Sequence, residues 1–167
     1  KKKYAEGEVL SFHQRSPLRG ASQCPFSDHC GGCQWLEVSY GQQMAWKVGF
    51  VRNALKRIGR IDQDMTIVPH GAARQQGYRN RILVRCRINA GRLTFGFFAE
   101  ASRSLVEIDA CLVARPVLND VLRSLAQQDW TVAGITEPFA FKLELQEFPA
   151  SEPPGATAIV MSEPATR

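Results

Sequence analysis

Three of the five cysteines fall within one ten-residue stretch, CPFSDHCGGC from Cys24 to Cys33, in a Cys-x5-Cys-x2-Cys arrangement. Thiolates are soft anionic ligands, and three on one short loop supply most of the coordination sphere of a tetrahedral metal or an iron–sulfur cluster, which then needs a fourth ligand from elsewhere. One proline and two glycines in the same stretch are too much punctuation for a helix or a strand, so a loop wrapped around something is expected. The remaining thiols are Cys86 and Cys111. Cys86 is in phase with Ile82, Val84 and Ile88, as a small buried core residue would be. Cys111 follows the run Glu107-Ile108-Asp109-Ala110 at a strand end, where a side chain can turn toward a loop, and is therefore the favoured fourth ligand. Zinc and iron–sulfur are both satisfied by four thiolates, and His29 offers a nitrogen that iron–sulfur clusters use less often, so spacing leaves the two metals open. An odd number of cysteines argues against a disulfide framework.

A second group of residues points to a polyanion. From Tyr78 to Ile88 the residues alternate: Ile82, Val84, Cys86 and Ile88 project to one side, and Arg79, Arg81, Arg85 and Arg87 to the other, with only Leu83 interrupting the arginine face. Arginine pairs with phosphate through two parallel hydrogen bonds or stacks its guanidinium on a base. A formal charge of +5 and a pI near 9.1 fit a nucleic-acid partner and weigh against an electron carrier, which would present acidic docking faces and compact ligand runs. Phe95, Phe97 and Phe98 could stack on bases, but aromatic residues in a strand are more often core. His13 and His70 stand isolated and receive no role.

The elements that must position these groups read as α+β: an antiparallel sheet with packed helices and a cysteine-rich loop. Ser39 can cap a helix in which Met44, Val48, Val51, Leu55 and Ile58 form a stripe that ends at Gly59. Lys47, Arg52, Lys56 and Arg57 fall away from that stripe and give the helix a basic side. Asn89-Ala90-Gly91 connects the arginine strand to a second, Leu93 to Phe98, and a third run, Leu105 to Ile108, completes a meander. Pro116 suits a helix start, and Leu118, Val121, Leu122 and Leu125 have the spacing of a buried stripe, so this helix is expected to cover one sheet face. Phe139 to Phe148 alternates again, turns at residues 151–155 and returns through Ala158 to Met161. The strand-like opening, Tyr4 to Phe12, has no partner within reach. The N-terminus, Lys1-Lys2-Lys3-Tyr4, has no hydrophobic signal core behind it, and no apolar run approaches the ~18–20 residues of a membrane helix, so a cytoplasmic protein without membrane contact is expected.

The segments KKKYAEGEVL, CPFSDHCGGCQWLEVSYGQQMAWK, GYRNRILV, LTFGFF and VEIDACLVARPVLNDVL, in this order, resemble the uracil-5 methyltransferases of transfer and ribosomal RNA. Glu37 departs from the pattern, standing where many members carry histidine. The resemblance implies a [4Fe–4S] cluster held by Cys24, Cys30, Cys33 and Cys111. It implies that residues 1–20 end a TRAM domain, an OB-like RNA-binding barrel, that residues 21–38 form the cluster loop, and that residues 39–167 form the central α+β RNA-binding domain. Tyr78, Arg79, Asn80 and Arg81 become the leading RNA contacts, near the cleft where the target uridine is turned out of its stem, with Arg85 and Arg87 along the same strand face. The expected partner is an RNA stem-loop, ribosomal RNA ahead of transfer RNA, bound by a monomer. In the complete enzyme the resemblance implies that a cysteine adds to carbon six of uracil, S-adenosylmethionine gives its methyl group to carbon five, and a base removes the proton there. None of those catalytic residues maps onto this chain, and Cys86 does not match the nucleophile's motif. S-adenosylmethionine is thus expected only in a methyltransferase domain beyond Arg167, and the chain alone is expected to be inactive. The rival reading is a free-standing zinc or iron–sulfur RNA-binding module.

Overall fold

Residues 81–89 alternate between apolar and polar side chains except at Leu83, and that period places one row against a core and the other toward solvent. In the computed structural model, which describes residues 7, 10–61, 63, 65–135, 138–148 and 155–162, this segment is the strand β1 (Arg81–Asn89), the middle of a five-stranded antiparallel sheet. Its neighbours are β2 (Arg92–Phe98) and β4 (Phe139–Phe148); β3 (Leu105–Glu107) lies outside β2 and β5 (Gly155–Ser162) outside β4, giving the order β3-β2-β1-β4-β5. The expected meander of the first three strands is present, and so is the expected return after Phe148; the turn between β4 and β5, at 151–154, lies outside the described residues.

Register explains the core. Cys86 pairs with Phe95 on one side and Phe141 on the other, so Ile82, Val84, Cys86 and Ile88 share a face with Leu93, Phe95, Leu143 and Leu145. The helix α2 (Pro116–Ala126) covers this face, and its Leu118 and Leu122 are wholly buried. Phe95 is therefore core, and Phe97 packs beside it, while Phe98 lies on the opposite face. The β1–β2 connection has positive φ at Ala90 and Gly91, the geometry that lets a two-residue hairpin follow the twist of its strands. A Cβ at Gly91 would come within 2.5 Å of the Thr131 methyl, so this position requires glycine for space as well as conformation.

The helix α1 (Tyr40–Arg57) begins at Ser39, whose hydroxyl accepts from the Gln42 amide, and its C-cap is Ile58, one residue before the expected Gly59. Its apolar stripe has a different fate from that of α2. No residue of α1 is buried, and Val51 and Ile58 are exposed, because α2 already occupies the core face of the sheet. Instead α1 is held at its first turns. Gln43 donates to the carbonyls of Trp35 and Val38, both at 2.9 Å, the Tyr40 hydroxyl accepts from the Ala72 amide, and Trp46 meets Trp35 edge to face.

The expected opening strand falls largely on residues 1–6, 8 and 9, outside the described residues; Leu10 and Phe12 belong to no strand and are exposed. Among the described residues no helix is long and apolar enough to cross a membrane.

Candidate metal centre and nucleic-acid interface

The cysteine loop is built from turns. The Ser27 amide donates to the Cys24 carbonyl, and the amides of His29 and Cys30 both donate to Phe26. Phe26 itself packs against the core and anchors the loop. The other end is fastened to the sheet: Cys30 bridges Ala99, and the Gly31 amide donates to the Phe98 carbonyl at 2.9 Å. A Cβ on Gly31 would lie 2.9 Å from both that carbonyl oxygen and the Glu100 nitrogen, both backbone atoms, so a side chain cannot be admitted without moving the sheet end. The Gly32 amide donates to the Cys30 sulfur at 3.4 Å.

Cys111 reaches the same place from the connection between β3 and α2. Cys24, Cys30, Cys33 and Cys111 together line one cavity of about 70 Å³, whose other walls include Phe26, Phe97, Ile108 and Arg79. Burial raises the Cys33 thiol above its ordinary value; the Arg79 guanidinium acts against that rise, while Cys111, Cys30 and Cys24 add to it. The other three thiols act on Cys33 because they stand close to it. Among the described residues no three His, Cys, Asp or Glu side chains converge as a single metal ion requires. The donors that line the cavity are four sulfurs in largely apolar surroundings, a donor set that both zinc and iron–sulfur clusters use. His29 is exposed and outside this cavity.

Cys86 is elsewhere, 2% exposed in the core, where burial pushes its thiol up to about 12. Its sulfur is therefore expected to stay unmodified when the native chain is treated with iodoacetamide at pH 8, and to react only after unfolding; mass spectrometry of the tryptic peptides reads this directly. The same burial stabilises the fold fully below the unfolded thiol's pKa near 9, and that contribution is lost as pH rises from 9 toward 12.

The six residues expected at RNA divide into two groups. Tyr78, half exposed, and Arg79 line an open cleft of about 970 Å³ between residues 17–21, the Trp35 region, α1 and residues 72–76. Arg79 borders both cavities. Arg81, Arg85 and Arg87 lie instead on the sheet face away from α2. Arg81 is exposed and paired with Glu144 at 2.7 Å, Arg85 is partly buried with its guanidinium 4.7 Å over the Phe98 ring, and Arg87 is exposed. Asn80 stands between the groups, its carbonyl accepting from the Glu147 amide at 2.7 Å. The cleft also contains Trp35, Lys47 and Arg74, and the sheet face Arg92 and Lys142. Of these, only Lys47 was legible, as part of the basic side of α1; Arg74 and Trp35 lie in segments without periodicity.

The two sites are stitched together. The amides of Gly77 and Arg79 donate to the carbonyls of Leu112 and Val113, at 3.0 and 2.8 Å, and the Arg115 amide returns a bond to Arg79, so residues 77–79 run parallel to the strand of chain that follows Cys111. Glu37 ends the cysteine segment in an ion pair with Arg19, at 2.8 Å, with the Gly20 amide on its carbonyl. That pair ties residues 16–20 to the loop.

An uncharacterized RNA methyltransferase of Thermosynechococcus vestitus is 35% identical over 134 residues, covering 79% of this chain and 30% of that protein. One from Halalkalibacterium halodurans is 34% identical over 128 residues, 76% of this chain and 28% of its own length. The chain belongs to this RNA methyltransferase family. A further relative, from Bacteroides thetaiotaomicron, is 38% identical over 82 residues, 49% of this chain and 18% of that protein. No family model matches the chain. The chain spans about 30% of the length of the first two relatives.

Proposed function

We propose that the chain is the [4Fe–4S]-binding and RNA-recognition part of an S-adenosylmethionine-dependent RNA uracil-5 methyltransferase, acting as a cytoplasmic monomer on ribosomal RNA ahead of transfer RNA. The observation that supports it best is that four cysteines from two distant segments line one cavity, whose Cys111 side is hydrogen-bonded to the Tyr78–Arg79 segment. The cluster, when bound, serves as a cross-link between the loop and the sheet, in the way a structural metal couples binding to folding. The chain's own residues then do the recognition. Tyr78 and Trp35 offer flat faces to an unstacked base in the cleft, Arg79 and Arg74 meet the phosphates beside it, and Arg87 and Arg81 hold the flanking stem from the open sheet face. S-adenosylmethionine and the methyl-transfer chemistry belong to another part of the full-length protein, and this chain alone does not methylate.

The test is an anaerobic preparation of the chain with iron and sulfide analysis, followed by titration with a ribosomal RNA stem-loop at several salt concentrations. About four iron and four sulfide per chain are expected. RNA affinity should fall as salt rises, with a log–log slope of about −3 for three to four phosphate contacts. One zinc per chain with no sulfide would give the alternative, a zinc RNA-binding module, and salt-independent or absent RNA binding would remove the recognition role.

A further inference from the structure

We propose that Asn119 is the positioning residue that holds the Cys111 thiol in the cluster cavity. This rests on the reading of the four cysteines as cluster ligands. Asn119 lies in the first turns of α2, between Leu118 and Leu122 in sequence, and is only 9% exposed. Its side chain makes two bonds to one residue: the Oδ1 atom accepts from the Cys111 amide at 2.9 Å, and Nδ2 donates to the Cys111 carbonyl at 3.1 Å. The same carbonyl also accepts from the Ala114 amide at 3.1 Å. Both backbone groups of Cys111 are thereby held, and rotation about its χ1 is the main freedom left to the sulfur.

Asparagine is a poor choice for that position on packing grounds. Its helix propensity is lower than that of leucine, and burying an amide is unfavourable unless its hydrogen bonds are met. Here they are met by the one cysteine that reaches the cavity from outside the loop. Cys24, Cys30 and Cys33 are constrained by the turns of a single short segment, whereas Cys111 stands alone in the connection from β3 to α2 and gains its fixed position from the helix. Outer partners of this kind orient a ligand, and their loss typically weakens metal binding about 10–100-fold.

The test compares wild type, Asn119→Leu and Leu122→Ala, the last a core truncation in the same helix that leaves the Cys111 bonds in place. Each chain is loaded anaerobically, and iron release to a ferrous chelator is followed below the melting transition, with the electron paramagnetic resonance signal of the reduced cluster recorded alongside. Asn119→Leu is expected to release iron about tenfold faster than wild type and to shift the resonance signal. Leu122→Ala, although less stable, should match wild type in both. Asn119→Ala makes the same comparison should the leucine variant fail to fold. Equal release rates and an unchanged signal in Asn119→Leu would overturn the positioning role while leaving the cluster in place. A wild-type chain with no iron and no sulfide would overturn the reading of the cysteines and this inference with it.

Discussion

Cys111→Ala is expected to lose most of the iron and sulfide that the wild-type chain retains after anaerobic gel filtration, whereas Cys86→Ala keeps the full complement. The contrast follows from where the two thiols stand. Cys111 lines the cavity with the three loop cysteines, while Cys86 is enclosed by Phe95 and Phe141 on neighbouring strands with its proton firmly held. A cluster left with three ligands would open a corner to solvent, and where ligand binding is coupled to folding the loss is felt in the chain around it. Amide exchange locates that effect. The Gly77 and Arg79 amides bond to carbonyls immediately after Cys111, so their protection should drop in Cys111→Ala, together with RNA affinity by about tenfold, while amides of β1 facing β4 remain protected. Full iron in Cys111→Ala, or loss in Cys86→Ala, would contradict the ligand assignment.

Much of this arrangement was legible in the sequence for simple reasons. A period of two over 81–89 can satisfy only a strand with one buried face, and that phase alone placed Cys86 in the core. Proline and glycine in the cysteine segment excluded regular structure, and Gly31 has a physical reason in the two backbone atoms that a Cβ would meet. Pro116 stands at the first turn of α2, as its fixed φ and missing amide proton favour.

The rest depended on partners far away along the chain. An amphipathic stripe reports that a helix can bury one face and is silent on what would cover it: α1 and α2 each carry such a stripe, yet α2 buries Leu118, Asn119 and Leu122 while no residue of α1 is buried. The arginines from Arg79 to Arg87 look like one face because the alternation continues across them. In the structure Arg79 precedes the strand and runs beside residues 113–115, which turns it toward the cleft and leaves Arg81, Arg85 and Arg87 on the sheet. Asn119 was hidden inside a helical stripe, since nothing about a lone asparagine states that it bonds to a residue eight positions earlier.

Arg115 and Glu147 make the second large expected effect. They are 32 residues apart, yet the Arg115 Nε lies 2.9 Å from Glu147 Oε2, and Nη2 donates to Oε1 at 3.3 Å, a two-point pairing. The Glu147 carboxylate is 7% exposed and the guanidinium about a third exposed. Arg115→Met is expected to lower unfolding free energy by about 2–3 kcal/mol in urea titrations, less than for a fully enclosed pair because water still reaches the guanidinium side. The cause is the stranded carboxylate more than the lost attraction, so adding Glu147→Leu should restore most of the stability even though a second partner is removed. RNA affinity should not recover in parallel. The Arg115 amide bonds to the Arg79 carbonyl and the Glu147 amide to that of Asn80, so the ion pair closes a bracket around the two residues that join the cleft to the sheet face. An apolar pair can fill that space without fixing the bracket's width. If the double variant stays as unstable as Arg115→Met, or if both bind RNA like wild type, the pair neither strands a charge nor sets that junction.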